Sequence, residues 1–360
     1  MPAKYVRLAD ALRAEMMHGD IFPGDRLPAE QALAAQYHVS RQTVRQALRQ
    51  LAEEGRIVTR KGSGTRVSAQ SGGEGRRIAI IPTYIDDYIF PAVLQDMQAV
   101  LAAQGYAPIL YATQNQTAAE RSVLLQLLAH PPCGALIEGV KTALPNPNLD
   151  LYEKLRRAHV PLVFFHGSSL PDAVCIADDN VGGGYLLTQH LIGLGHQHIA
   201  GIFKSDDSQG PARYSGYSAA LRDAGLTFSD SCILWYTTED RADLLDSGNT
   251  GALHNFILHR MAGCTAVVCY NDEIAWQLGR LLAAQGIRVP EDVSLASFDN
   301  SYFSDAAPVP ITTLGHDGHL LGRTAAQALL DQLSGKKSES RIIRWSLIRK
   351  ESTAPRKDTL

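Results

Sequence analysis

The chain has 360 residues, 45% of them hydrophobic, which exceeds one ordinary domain and is ample for packed cores. Its net charge of −3 conceals an asymmetry: residues 1–68 hold 11 Lys and Arg against 7 Asp and Glu, roughly +4, which leaves roughly −7 for the remainder. Only the N-terminal unit therefore suits a polyanionic partner. No apolar run of about 18 residues occurs and Met1-Pro2-Ala3-Lys4 lacks a signal-peptide core, so neither membrane insertion nor export is supported and a cytoplasmic protein is expected.

A first helix is predicted over about residues 5–19, with Leu8, Leu12 and Met16 on one face. A short helical pattern follows over residues 28–37, with Ala32, Leu33 and Ala35 as its apolar positions, and His38-Val39-Ser40 breaks it. Ser40 is a good N-cap for a second helix to about Glu54, in which Val44, Ala47, Leu48 and Leu51 face inward while Arg41, Gln42, Arg45 and Arg49 occupy the opposite face. Gly55 ends that helix, Ile57-Val58-Thr59 reads as a strand, residues 61–64 as a tight turn and Thr65-Arg66-Val67 as the return strand. Such a helix fits the major groove, its cationic and amide side chains reach phosphates and base edges, and a glycine-tipped basic hairpin lets backbone approach DNA. The order of these parts predicts an α+β winged helix-turn-helix.

Those residues, from Tyr5 to Val67 and above all PGDRLPAEQALAAQYHVSRQTVRQALRQLAEEGRI, resemble the DNA-binding domain of the GntR family of bacterial transcription regulators. The resemblance implies that Arg41 and Arg45 contact operator DNA, with Gln42 and Thr43 beside them and Lys61 and Gly62 in the wing. Glu30 and Gln31 would lie near the groove, and Lys4, Ser40 and Arg49 complete the expected DNA-contacting set.

SAQSGGEG, residues 68–75, is small, polar and glycine-rich, which places a reader in residues 1–68, a linker at 69–75 and a second unit at 76–355. There the rhythm changes. RIAIIP, APILYAT, GALIEG and VPLVFFHG read as strands, with helices over about 91–104 and 118–128; HIAGIF, CILWYT, AVVCY and VSLASF form a second run with helices to about 194, over 214–224, near 251–261 and over 273–285. This predicts two α/β lobes, one of about 76–177 plus 312–335 and the other of about 178–311 plus 341–353.

In open α/β sheets ligands bind outside the carboxyl ends of the strands, so the cleft between lobes is the expected site. A sugar needs planar hydrogen-bonding groups around its hydroxyls and an aromatic surface against its C–H face. At strand ends of the first lobe stand Tyr84, Tyr88, Glu138 or Lys141, and His166; the second supplies Lys204, Arg213, Asn271 and Asp299. Asp178 lies at the crossover and His316 on the returning segment. Gly182-Gly183-Gly184 lacks the context of a nucleotide loop and reads as close packing at a helix start. No GxSxG elbow, P-loop or metal-ligand spacing occurs, Asp206-Asp207 reads as a solvated turn, and the five cysteines contain no CxxC pair and read as reduced core thiols. No enzyme, cofactor or metal is expected.

The stretch from Cys269 to Ser301, DDNVGGGYLLTQHLIGLGHQHIAGI at 178–202, Arg213 with GYSAAL at 216–221 and ITTLGHD at 311–317 resemble the effector domains of the LacI family and the related periplasmic sugar-binding proteins. The resemblance implies sugar contacts from Arg213, Asn271 and Asp299. A GntR reader joined to a LacI-like effector domain resembles the arabinose-responsive repressors, to which TYIDDYIFP, GIFKSDDSQG and CYNDEIA add support. The implied protein is a homodimeric repressor released from operator DNA by a sugar, L-arabinose first, with another pentose, a hexose or a sugar phosphate as alternatives. A sugar receptor without DNA control is the competing class. Beyond Pro355 no leucine heptads occur, so a dimer is expected rather than a tetramer.

Overall fold

The computed structural model describes residues 4–18, 21, 24–54, 56–60, 64–67, 76–85, 88–227, 229–245, 251–315 and 320–356. Lys61, Gly62, His316 and the linker 69–75 lie outside the described residues. The first unit consists of α1 (Lys4–His18), α2 (Glu30–Gln36), α3 (Arg41–Glu53), β1 (Ile57–Arg60) and β2 (Gly64–Val67). Leu8, Leu12 and Met16 of α1, Leu33 of α2, and Val44, Ala47, Leu48 and Leu51 of α3 bury against Ile57 and Val67 of the hairpin, as the helical spacing requires. In α2 only Leu33 is buried, and Ala32 and Ala35 are exposed. Ser40 Oγ accepts the Thr43 N–H at 3.2 Å and so caps α3, a contact worth about 1 kcal/mol. β1 and β2 pair antiparallel, Arg60 opposite Gly64.

The second unit begins with β3 (Arg77–Ile81), α4 (Phe90–Ala103), β4 (Ala107–Leu110), α5 (Thr117–Ala129), β5 (Gly134–Ile137), α6 (Leu149–Arg157), β6 (Leu162–Phe165) and β7 (Val174–Asp178). It continues with α7 (Asn180–Gly193), β8 (Ile199–Lys204), α8 (Gln209–Asp223), β9 (Ile233–Tyr236), α9 (Arg241–Leu245), α10 (Ala252–His259), β10 (Ala266–Cys269), α11 (Asp272–Ala284), β11 (Ser294–Phe298), α12 (Tyr302–Ala306) and β12 (Thr312–Gly315). It closes with α13 (Leu320–Leu333), β13 (Arg341–Ile343) and β14 (Ser346–Ile348).

Two six-stranded sheets result, ordered β13-β7-β6-β5-β3-β4 and β14-β12-β11-β10-β8-β9. Every pairing in them is parallel except β12 with β14. Every residue of β5, β6, β8, β10 and β11 is buried, and β5, β6 and β10 are accordingly continuous apolar runs rather than alternating ones. In both sheets the order reverses beside the first strand, between β3 and β5 and between β8 and β10, and that reversal opens a crevice at the carboxyl ends.

The sheets divide the returning chain differently from the expected lobe boundaries. Residues 312–315 extend the second sheet beside β11, while residues 341–343 pair with β7 in the first. Only α13 and β14 keep the expected assignment, α13 because Leu321, Ala325 and Leu329 bury against Val93, Met97 and Leu101 of α4, and β14 because it pairs with β12. The chain thus crosses between lobes at 178–180, after β12 and between β13 and β14.

The Gly182-Gly183-Gly184 run does permit close packing. A Cβ on Gly184 would sit 2.0 Å from the Arg213 carbonyl oxygen, and one on Gly216 would sit 2.0 Å from that of Val181, so α7 and α8 touch backbone to backbone. That contact seats Arg213 on the face of α8 turned toward the cleft.

Candidate functional site

Two surfaces carry chemistry. On the reader, Arg41, Gln42, Arg45 and Arg49 project from the exposed face of α3, and Lys4 and Gln31 are exposed as well. Thr43 is partly covered because its hydroxyl meets that of Ser40 at 2.9 Å; both residues serve the helix start. Arg45 Nε donates to Glu30 Oε2 at 2.8 Å, so α2 holds the guanidinium ready at the surface. An exposed pair of this kind contributes at most about 1 kcal/mol to stability. Its consequence is orientation. Lys61 and Gly62 fall outside the described residues.

In the second unit Tyr84, Tyr88, Glu138, His166, Asp178, Lys204, Arg213, Asn271 and Asp299 line one cavity between the lobes. All except Arg213, which is on a helix, come from the carboxyl end of a strand or the loop after it. Glu138 Oε2 accepts the N–H and hydroxyl of Thr83 at 2.7 and 2.5 Å, and Glu138 Oε1 lies 2.8 Å from His166 Nδ1. Burial works against charge on His166, yet the Glu138 carboxylate holds the imidazole above its ordinary value. Lys204 Nζ meets Asp207 Oδ2 at 2.5 Å; burial disfavours its charge, but Asp207 and Asp206 keep the ammonium above its usual range. Arg213, 2% exposed, donates through Nε to Asn180 at 2.9 Å, through Nη1 to the Tyr270 carbonyl and through Nη2 to Asp299 at 3.3 Å. Its guanidinium lies 4.1 Å from the Phe298 ring centroid and 4.8 Å from that of Tyr270. Arg213 is therefore a buried cation with every nitrogen of its fork engaged.

Tyr88 reaches from the first lobe into the second: its hydroxyl donates to Asp299 Oδ2 at 2.7 Å and accepts the Asp272 N–H at 3.1 Å. Burial, then Asp299 and Asp272, push this phenol well above its usual value, so it remains a donor. Asn271 lines the cavity, but its Oδ1 is committed to capping α11 through the Ile274 N–H at 3.0 Å. Tyr88, His166 and Asp299 all have positive φ, 60°, 60° and 98°, a conformation that costs an ordinary residue free energy and persists where surrounding contacts impose it.

Lys141 does not line the cavity. Its side chain runs instead to Glu239 and to Asp206, the latter at 3.8 Å. His316 lies outside the described residues. Asp206-Asp207 is not a solvated turn either: Asp206 is 2% exposed, and both carboxylates are bound by neighbouring side chains or backbone. The cavity also contains Thr83, Phe90, Asp207, Gln209, Tyr236, Arg241, Tyr270 and Glu273, none of which is among the sequence-predicted site residues. Arg241 grips Glu273 with Nη2 at 2.7 Å and Nε at 3.1 Å, and stands 5.6 Å from the Tyr84 ring. Tyr236, the last residue of β9, and Tyr270, the first after β10, were accessible to the strand-end rule; Arg241, on a short helix in a polar stretch, gave no such signal. Among the described residues no group of three or more His, Cys, Asp or Glu stands together as a metal site, and no helix is long and apolar enough to cross a membrane.

Comparison with known proteins agrees with this division. Residues 4–67 match the model of bacterial regulatory proteins of the gntR family, and residues 188–353 match the periplasmic binding protein-like domain. The chain is 36% identical to the arabinose metabolism transcriptional repressor of Geobacillus stearothermophilus over 97% of each chain. It is 32% identical to the protein of that name in Halalkalibacterium halodurans, over 94% of this chain and 92% of that one. In fold it is similar to a periplasmic binding protein/LacI transcriptional regulator from Alkaliphilus metalliredigens complexed with D-xylulofuranose, with TM-score 0.65 and 21% identity, over 78% of this chain and 99% of that one. The transcriptional regulator CelR–cellobiose complex is similar too, with TM-score 0.67 and 22% identity over 91% of this chain and all of that one. With a gntR-type reader, a two-sheet effector unit and 32–36% identity across nearly its whole length, the chain belongs to the arabinose metabolism transcriptional repressor family.

Proposed function

We propose that this protein is a homodimeric repressor of sugar-utilisation genes that leaves its operator when L-arabinose closes the cleft between the lobes. The dimer reads two half-sites, one per α3, and lobe closure changes how the two subunits meet and so misplaces the readers. The single observation that carries the sugar assignment is the pairing inside the cavity. His166 with Glu138, Lys204 with Asp207, Arg213 with Asp299 and Arg241 with Glu273 match each cationic side chain among the described lining residues to a carboxylate. A phosphorylated ligand needs unmatched positive charge, whereas a neutral polyol needs fixed donors and acceptors at close quarters. Tyr84, Phe90, Tyr236 and Tyr270 supply the aromatic surface for its C–H face. The names of the relatives point to arabinose among such polyols.

Calorimetric titration of the purified protein with L-arabinose, beside D-xylose, D-ribose, D-galactose and L-arabinose 5-phosphate, tests this reading. Saturable binding of L-arabinose at one per chain, at least tenfold tighter than the others, is the expected result. Binding of another neutral sugar instead would retain the repressor and change the effector; preference for the phosphate would overturn the charge argument.

A further inference from the structure

The lobes meet a second time, beside the cavity. Residues 115 and 141–143 of the first lobe face residues 206–208 and 238–239 of the second, and of these only Asp207 also lines the cavity. The Ala143 N–H donates to the Asp206 carbonyl oxygen at 3.1 Å. Thr142 Oγ1 accepts the Ser208 N–H at 2.9 Å and donates to Ser208 Oγ at 2.9 Å. Asn115 Nδ2 donates to Thr238 Oγ1 at 2.6 Å and to Asp207 Oδ1 at 3.1 Å, and Lys141 pairs with Glu239.

Each half of this seam is assembled within its own lobe. Asn115 Oδ1 accepts the Lys141 N–H at 2.9 Å, and both residues are fixed at positive φ, 53° and 44°. Beneath them the buried Glu120 carboxylate accepts from Asn146 at 2.9 Å, Asn148 at 2.8 Å and Tyr152 at 2.6 Å, which anchors the loop after β5. Across the seam, Asp206 Oδ2 accepts the Thr238 N–H at 2.9 Å. Two preformed surfaces therefore dock with little ordering cost. Asp207 belongs to both places, bound by Lys204 inside the cavity and by Asn115 outside it.

From this arrangement we infer that the seam is a latch: Asn115, Thr142 and Ser208 are positioning residues that hold the lobes closed and set the effector concentration needed for release, without touching the effector. The inference rests on the proposed function for its direction, because closure is taken there as the state that leaves DNA. A ligand's apparent affinity scales with the population of its competent state, so weakening the latch lowers sensitivity without altering the pocket.

Three variants and one cross-link test it in the full-length protein. Asn115→Ala and Thr142→Val should each raise the L-arabinose concentration for half-release of operator about tenfold, from the loss of one or two hydrogen bonds between lobes, without weakening operator binding in sugar-free buffer. Thr142→Ser retains the hydroxyl and should respond as the wild type does. An unchanged half-release concentration in both Asn115→Ala and Thr142→Val would overturn the latch, while the wild-type response would leave the sugar reading intact. The cross-link needs no sugar. Thr142→Cys with Ser208→Cys, in a Cys133→Ser background, puts thiols where hydroxyl oxygens stand 2.9 Å apart. Oxidation by diamide, which takes up two protons and two electrons as the S–S bond forms, should leave a protein that binds operator at least tenfold more weakly, and dithiothreitol should restore it. Failure of the pair to cross-link, or cross-linked protein that binds operator as tightly as its reduced form, would overturn the latch whichever effector the wild type prefers.

Discussion

Replacing Arg213 with lysine should weaken L-arabinose binding by roughly 100-fold, about 3 kcal/mol, while leaving operator affinity in sugar-free buffer unchanged. The charge survives this substitution; the fork does not. Arg213 serves Asn180, the Tyr270 carbonyl and Asp299 in three directions at once while its guanidinium stands 4.1 Å from the Phe298 ring centroid. A lysine ammonium on one flexible stem cannot fill these directions together, and each charge-assisted hydrogen bond lost in a buried site costs about 1.5–3 kcal/mol. Asp299, which also receives the Tyr88 hydroxyl, then loses the guanidinium N–H that reaches it. Calorimetry and operator titration on the same preparation separate the two effects. A lysine variant whose sugar affinity stays within threefold of the wild type would remove Arg213 from the binding set.

On the reader the largest effect is expected from Arg45→Ala. Operator affinity should fall between about tenfold and 100-fold, the slope of log affinity against log salt should decrease by about 1 if the contact is to phosphate, and L-arabinose binding should be unchanged. Arg45 stands on the exposed face of α3 one turn from its N-terminus, where a recognition helix meets base edges, and Glu30 keeps it extended. Arg49, a turn further along, should give a smaller loss in the same assay. Operator affinity within twofold of the wild type for Arg45→Ala would refute the recognition-helix assignment.

The parts of this molecule that were legible in its sequence are those in which a local rule and the tertiary structure make the same demand. Val44, Ala47, Leu48 and Leu51 are buried because a helix of that spacing has only one apolar face, and Ser40 caps it because its extended backbone brings the hydroxyl to the Thr43 N–H. The strand-end rule placed Glu138, His166, Lys204 and Asp299 at the cleft because a parallel sheet covered on both faces leaves only its carboxyl edge open. The rule says nothing about direction, however. Lys141 sits just past β5, as Glu138 does, yet its side chain runs across to Glu239 instead of into the cavity. Asp206 and Asp207 look solvated in sequence because the groups that bury them, Asn115, Lys141 and Thr238, come from stretches far along the chain. The lobe boundaries near the end of the chain failed for a related reason. β13 and β14 have three residues each with two residues between them, too short for any periodicity to reveal which sheet each one joins.

Sugar and operator act on one equilibrium in the proposed mechanism, and linkage then requires that each weaken the other by the same factor. The decisive measurement is therefore a closed cycle: operator affinity with and without saturating L-arabinose, and L-arabinose affinity with and without saturating operator, in one buffer at one salt concentration. Two equal factors, each of at least tenfold, are the expected result. An operator affinity that L-arabinose leaves unchanged, with sugar binding demonstrated in the same sample, would contradict the coupling of cleft to reader.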